Sequence, residues 1–302
     1  MQDIPFVDAH IHLWDLERLH YAWLSPPFRD EGPNGSTEGI ATTYLVEDYR
    51  RDSARWNVHG VVHVDAGAAA AQALEETDWL ESLAAEQRWP TGIVAFAALD
   101  DPAVESLLER QASRPRVRGI RHIVNWHPDP SRTYTSRDLT QDDGWRAGYA
   151  LLGKYGLSFD LQCYPAQMPA IADLIAQHPN IPVIVDHLGM PVLDDEKGEE
   201  EWRLGLALLS RQEHVAIKLS GFGFVRRNWT AEQIVPLVHE VIELFGPSRC
   251  LFATDFPTDK LFGTVDRYFE AQQRIASAYS REEQRDMLGR NADRIYRLGL
   301  GL

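Results

Sequence analysis

Cysteine is nearly absent. Cys163 and Cys250 are the only two among 302 residues, too few for a disulfide framework in a chain this long, so both are expected to be buried thiols of a reduced compartment. Positive charge is also in short supply: 30 basic residues face 45 acidic ones, and the formal charge is −15. Such a surface repels polyanions, which excludes nucleic acid and anionic membranes as expected partners. No apolar run approaches the roughly 20 residues of a spanning helix, and the N-terminus lacks a basic region followed by an apolar core. A cytoplasmic location is the expectation. Internal repeats and composition breaks are missing as well, which points to one domain over 1–302.

The chain does have ample apolar content, 44%, in eight short runs rich in β-branched residues. They are Ile4 to Ile11, Gly60 to Val64, Gly92 to Leu99, Val117 to Val124, Leu157 to Cys163, Ile181 to His187, Val215 to Leu219 and Cys250 to Thr254. Helical periodicity lies between them, clearest where Ile234, Leu237, Val238, Val241, Leu244 and Phe245 recur at three- and four-residue spacings behind a Thr230/Gln233 capping box. Eight strands alternating with helices predict an α/β fold, a parallel (β/α)8 TIM barrel, with a doubly wound open sheet as the alternative. The stretch from Leu13 to Trp56 is too long for a simple βα connection, and this insertion, 13–56, is expected to fold over the barrel mouth. The acidic run Asp194 to Glu201 reads as a solvated loop or helix start.

Active sites of such barrels sit where strands end, and the strand ends here are unusually polar. The first carries Asp8, His10 and His12, which alternation would place on one face with Val7, Ala9 and Ile11 on the other. Two imidazoles one strand repeat apart can grip a single cation. The second strand offers His63 and Asp65, the fourth Arg121 and His122, the fifth Gln162 and Tyr164, the sixth Asp186 and His187, the seventh Lys218 and Ser220, the eighth Asp255. Each alone has a plain structural explanation: His63 and His122 as hydrogen-bonded core histidines, Lys218 as an ion-pair partner, Arg121 as a loop brace. Their joint placement favours a site.

The stretches Val7-Asp8-Ala9-His10-Ile11-His12-Leu13-Trp14-Asp15, Gly119-Ile120-Arg121-His122, Val185 to Pro191, Lys218-Leu219-Ser220-Gly221 and Ala253-Thr254-Asp255-Phe256-Pro257 together resemble the amidohydrolase superfamily. More narrowly they are similar to its lactonase branch, which includes sugar-lactone hydrolases such as fuconolactonases and the pyrone dicarboxylate hydrolases. Asn291 to Tyr296 resembles that branch's C-terminal helix. The resemblance implies a mononuclear site built from His10, His12, His187 and Asp255. Arg121-His122 and Leu161-Gln162-Cys163-Tyr164 depart from the residues that hold a second metal elsewhere in the superfamily, and strand eight has Ala-Thr-Asp-Phe-Pro where Gly-Ser-Asp-Trp-Pro is usual.

The chemistry expected is hydrolysis of a lactone, a sugar-acid lactone before a dicarboxylate. Asp255 would act as general base and then acid, with His187 beside it as the second catalytic group. Three imidazoles and a carboxylate suit one divalent ion, zinc before manganese or cobalt, and the branch also includes metal-free members, in which the histidines would be hydrogen-bond donors. Arg121, His122, Lys218, His63 and Arg226 are candidate polar contacts to substrate, with Trp14, Trp23 and Tyr164 as flat faces for a sugar ring. A decarboxylase or lactone isomerase on the same ligand set, or a non-catalytic sugar-binding barrel, are the competing readings.

Overall fold

The computed structural model describes residues 2–193 and 196–302. Eight parallel strands form one sheet in sequence order: β1 (Phe6–Ile11), β2 (Val58–Val64), β3 (Gly92–Phe96), β4 (Val117–Arg121), β5 (Ser158–Leu161), β6 (Val183–Val185), β7 (Val215–Leu219) and β8 (Cys250–Phe252). The sheet closes just past its last strand: the Asp255 N–H donates to the His10 carbonyl and the His12 N–H to the Phe256 carbonyl, both at 2.8 Å. A helix lies in every gap, including the expected Ala231–Phe245, whose Gln233 side chain accepts from the Thr230 N–H at 3.1 Å. The fold is the (β/α)8 barrel that the strand–helix alternation predicts.

Several strands are shorter than their apolar runs. β6, for example, pairs only over Val183–Val185 within Ile181 to His187. Burial continues past the last rung, as at Leu99, Val124 and Cys163, so hydropathy overestimates pairing there.

Alternation also fails in β1. Val7 and Ala9 point into the barrel with Val62, Val64, Val94, Ile184, Ala216 and Leu251, whereas Phe6 and Ile11 pack outward against the helices. Asp8 therefore does not share a face with His10. The pairing with β2 shifts between Asp8 and Ile11, a bulge that reverses the phase of the strand. Asp8 fastens this bulge: its carboxylate accepts from the His10 N–H at 3.3 Å, the Thr254 N–H at 2.9 Å and hydroxyl at 2.6 Å, and the Tyr49 hydroxyl at 2.8 Å.

At the opposite end, the short helix Asn291–Ile295 is followed by Tyr296 and by Leu298, Leu300 and Leu302, which plug the barrel floor against the inner cluster. Cys163 and Cys250 are buried free thiols. The acidic run is helical from Glu196, in Glu196–Ser210, and its Asp194 and Asp195 lie outside the described residues. Among the described residues no helix is long and apolar enough to cross a membrane.

Candidate active site

The β1, β6 and β8 ends bring His10, His12, His187 and Asp255 together. Two of the four sit on strained backbone. Asp255 has φ 56°, and His187, Leu188, Gly189 and Met190 form a left-handed turn with φ 52°, 56°, 75° and 47°. For each non-glycine residue this conformation costs about 1–2 kcal/mol, and such strain persists only where the surroundings impose it. Here Trp202 Nε1 donates to the Leu188 carbonyl at 2.7 Å, and Gly221, itself at φ +68°, lies against the His187 ring.

The donor atoms crowd one point. His12 Nε2 lies 3.1 Å from Asp255 Oδ1 and 3.3 Å from His10 Nε2, and His10 Nε2 is 3.4 Å from the same carboxylate oxygen. His187 joins His10 and Asp255 with ligating atoms all within 4.8 Å of one another. His12 Nδ1–H must donate to the Val64 carbonyl at 2.8 Å, because a carbonyl only accepts. Its Nε2 therefore turns a lone pair towards a carboxylate oxygen, an arrangement that calls for a proton or a cation between them. Tetrahedral zinc with bonds of roughly 2.0–2.1 Å separates its donors by about 3.3–3.4 Å, close to the three spacings among His10, His12 and Asp255. The residues fit a divalent ion. Burial holds the His10 imidazole well below its ordinary pKa, with the Lys218 ammonium acting in the same direction, and burial also lowers His187. Both rings are thereby kept neutral, the form that ligates.

Above these atoms is a cavity of about 210 Å³, lined by His12, His187, Asp255, Arg121, Gln162, Trp23 and Phe224, among others. Asp255 Oδ2 is buried and has no hydrogen-bond partner among the described residues. Arg121 also lines the cavity, its Nε 3.2 Å from Asp65 Oδ2 and its Nη1 donating to Gln162 Oε1 at 3.3 Å. Burial would lower its pKa, but Asp65, Asp186 and Asp255 raise it, so the guanidinium is a fixed cation.

The other candidates are placed elsewhere. His63 is buried outside the cavity and accepts the Leu13 N–H on Nδ1 at 3.1 Å; His122 likewise accepts the Leu99 N–H at 3.0 Å. Lys218 lies beneath the site, fully buried, with Nζ 2.5 Å from Asp160 Oδ2, 2.9 Å from Asp186 Oδ1 and 3.1 Å from His10 Nδ1. Trp14 is buried behind His12, its ring stacked on the imidazole at 6.3 Å, and Trp23 closes one wall with Nε1 donating to the Ala66 carbonyl at 2.8 Å. Tyr164 and Arg226 border a separate outer cleft of about 840 Å³, which meets the inner cavity at Tyr134 and Phe224.

Sequence reasoning missed Tyr134 and Asn34. The Tyr134 hydroxyl donates to Asn34 Oδ1 at 2.7 Å, joining the loop after β4 to the segment after β1, and both residues line the cavity. Neither residue belongs to a motif or a periodic segment, and no sequence signal marks the pair. Phe224 and Thr258, also in the wall, were passed over although they follow the seventh and eighth strands closely.

A closed parallel barrel with imidazoles and a carboxylate converging at its C-terminal mouth defines a metal-assisted hydrolase architecture. The amidohydrolase family model matches residues 7–298, and the chain belongs to that family. A Sinorhizobium fredii protein, the uncharacterized y4mH, is 37% identical over 299 residues, covering 99% of this chain and all of the relative. An L-fucono-1,5-lactonase of Burkholderia multivorans is 27% identical over 311 residues, covering 97% of this chain and 96% of that protein. A crystal structure of a Burkholderia multivorans amidohydrolase with bound zinc superposes with TM-score 0.79 at 24% identity over 97% of this chain and 99% of the other, which supports the fold.

Proposed function

We propose that this chain hydrolyses a lactone, with a sugar-acid lactone as substrate and Asp255 as the general base and acid. The observation that carries the reading is the state of Asp255: Oδ1 is held among His12 and His10, while Oδ2 has no hydrogen-bond partner among the described residues, and the residue lines the cavity together with the Arg121 cation. Similarity to the fuconolactonase supports the substrate class.

His10, His12, His187 and Asp255 would hold one divalent ion, zinc before manganese or cobalt, which when bound polarises a carbonyl and lowers the pKa of water. Asp255 takes the proton of the attacking water on Oδ2 and returns it to the departing ring oxygen, so the carboxylate ends as it began. Arg121, fixed by Asp65 and Gln162, steadies negative charge on the carbonyl side or a ring hydroxyl. Trp23 and Phe224 give the ring apolar faces, and the insertion 13–56, through Trp23 and Asn34, covers the mouth and limits water to the reacting molecule. The outer cleft with Tyr164 and Arg226 receives whatever substituent projects from the ring.

A pH-indicator assay over aldonolactones and pyrone dicarboxylates tests this, with protein as purified, stripped of metal, and resupplied with zinc or manganese. Turnover of a sugar lactone, lost on stripping and restored by metal, is expected. No turnover of any lactone overturns the reading, and release of carbon dioxide from an aromatic acid would replace it with a decarboxylase.

A further inference from the structure

Lys218 occupies a place that neither substrate binding nor stability explains. It is wholly buried in the barrel interior, just above an aliphatic layer that includes Val64, Ile184, Ala216 and Leu251. Removing an ammonium and two carboxylates from water costs several kcal/mol per ion, and well-packed apolar side chains in their place are often as stable or more so. The cluster must therefore be read from what it touches.

Its geometry runs along the barrel axis. At the floor, the Tyr296 hydroxyl donates to Asp160 Oδ2 at 2.8 Å. Lys218 Nζ meets that same oxygen at 2.5 Å and reaches Asp186 Oδ1 at 2.9 Å. At the top, His10 Nδ1 lies 3.1 Å from the ammonium and 3.3 Å from Asp186 Oδ1. Burial alone would raise Asp186, but the ammonium and His10 hold it well below the usual carboxylate range, so it stays an anion beneath the ring. The opposite edge of that ring, Nε2, is the one directed at His12 and Asp255.

The geometry points to Lys218 as a positioning residue: paired with Asp160 and Asp186, it holds the Asp186 carboxylate where Nδ1–H of His10 donates to it, and thereby leaves the Nε2 lone pair, in a fixed orientation, facing the reacting centre. Lys218 touches neither substrate nor the cavity. It acts through His10, and Tyr296 ties the unit to the C-terminal plug. What His10 then does rests on the hydrolase reading above; the gripping of its ring does not.

Replacing Lys218 alone strands two buried carboxylates and risks the fold, so the test is the paired variant Asp160→Asn/Lys218→Met, which removes one charge of each sign. Three readouts apply: zinc affinity by competition with a chelating dye, the ring ¹⁵N resonances of His10 in metal-free protein, and kcat against KM. Loss of a supporting partner of a ligating histidine typically costs about 10–100-fold in metal affinity or activity. The expected result is a folded variant with zinc affinity and kcat each lowered by about that factor, KM little changed, and His10 resonances moved while those of His187 stay. A folded variant with unaltered zinc affinity and unaltered His10 resonances overturns the assignment. If the variant does not fold, the spectrum of the unaltered protein decides: one His10 tautomer supports the grip, and an averaged mixture of two overturns it. Zinc affinity and ring spectra need no substrate, so a failed lactone panel leaves this test intact.

Discussion

Gly221 lies so close to His187 that a Cβ built on it would come within 2.4 Å of the His187 Cβ. The glycine is also at φ +68°, where a side chain is disfavoured in any case. Gly221→Ala must push His187 from its place, and displacements of about 1 Å at a reacting centre cost on the order of 100-fold. The expected outcome is a loss of kcat of that order with a melting temperature lowered by a few degrees, read by steady-state kinetics and thermal melts. Unchanged kcat would remove His187 from the chemistry.

Asp255→Asn keeps the side-chain shape but cannot take a proton. General base and acid assistance is worth about 100- to 10,000-fold, and turnover should fall by at least that much with or without added metal. Circular dichroism and a thermal melt establish that the variant is folded. A variant that keeps most of its activity would rule out the assigned base.

The Tyr134 to Asn34 hydrogen bond joins two loops in the cavity wall. Tyr134→Phe removes one neutral hydrogen bond worth about 0.5–1.5 kcal/mol, and because that bond joins two loops of the cavity wall, KM should rise about 2- to 10-fold with kcat nearly constant. A fall in kcat at constant KM would place the tyrosine hydroxyl in the reaction itself.

Glu76 is buried with its carboxyl receiving the Tyr21 hydroxyl at 3.1 Å, and burial, reinforced by Asp65, pushes its pKa from 4.5 up to about 8. Between those values the unfolded chain has released this proton while the folded protein retains it. The stability it contributes is therefore complete below pH 4.5 and is lost as pH rises through about 8. Glu76→Gln, which never ionises, should melt progressively higher than the parent as pH goes from 5 towards 8.5. A melting-temperature difference independent of pH would show that Glu76 does not titrate in this window.

Much of this molecule is legible in one dimension. The Ala231–Phe245 helix follows from its apolar spacing, and the barrel from the order of its eight runs. His10, His12, His187 and Asp255 stand at strand ends in the linear chain, and since every strand of a parallel barrel ends at the same face, four strand-end residues converge without further information. The errors have a common origin. Asp8 was assigned to the His10 face because alternation assumes an unbroken strand, and a bulge is a property of two paired strands. Strand-end position also says nothing about depth, so it does not separate an ion-pair partner from a substrate contact at Lys218, which lies wholly buried against Asp160.

The sequence by itself determined the strand and helix alternation, the acidic surface and the types of residue at each strand end, since these depend on local periodicity and chemical identity. Only the tertiary structure decided that Asp8 would lock the bulge, that Lys218 would sit under His10 beside Asp160, and that Tyr134 would meet Asn34, 100 residues away. Those contacts join residues distant along the chain, and their geometry exists only once closing the sheet has set the depth of each side chain and the path of each loop.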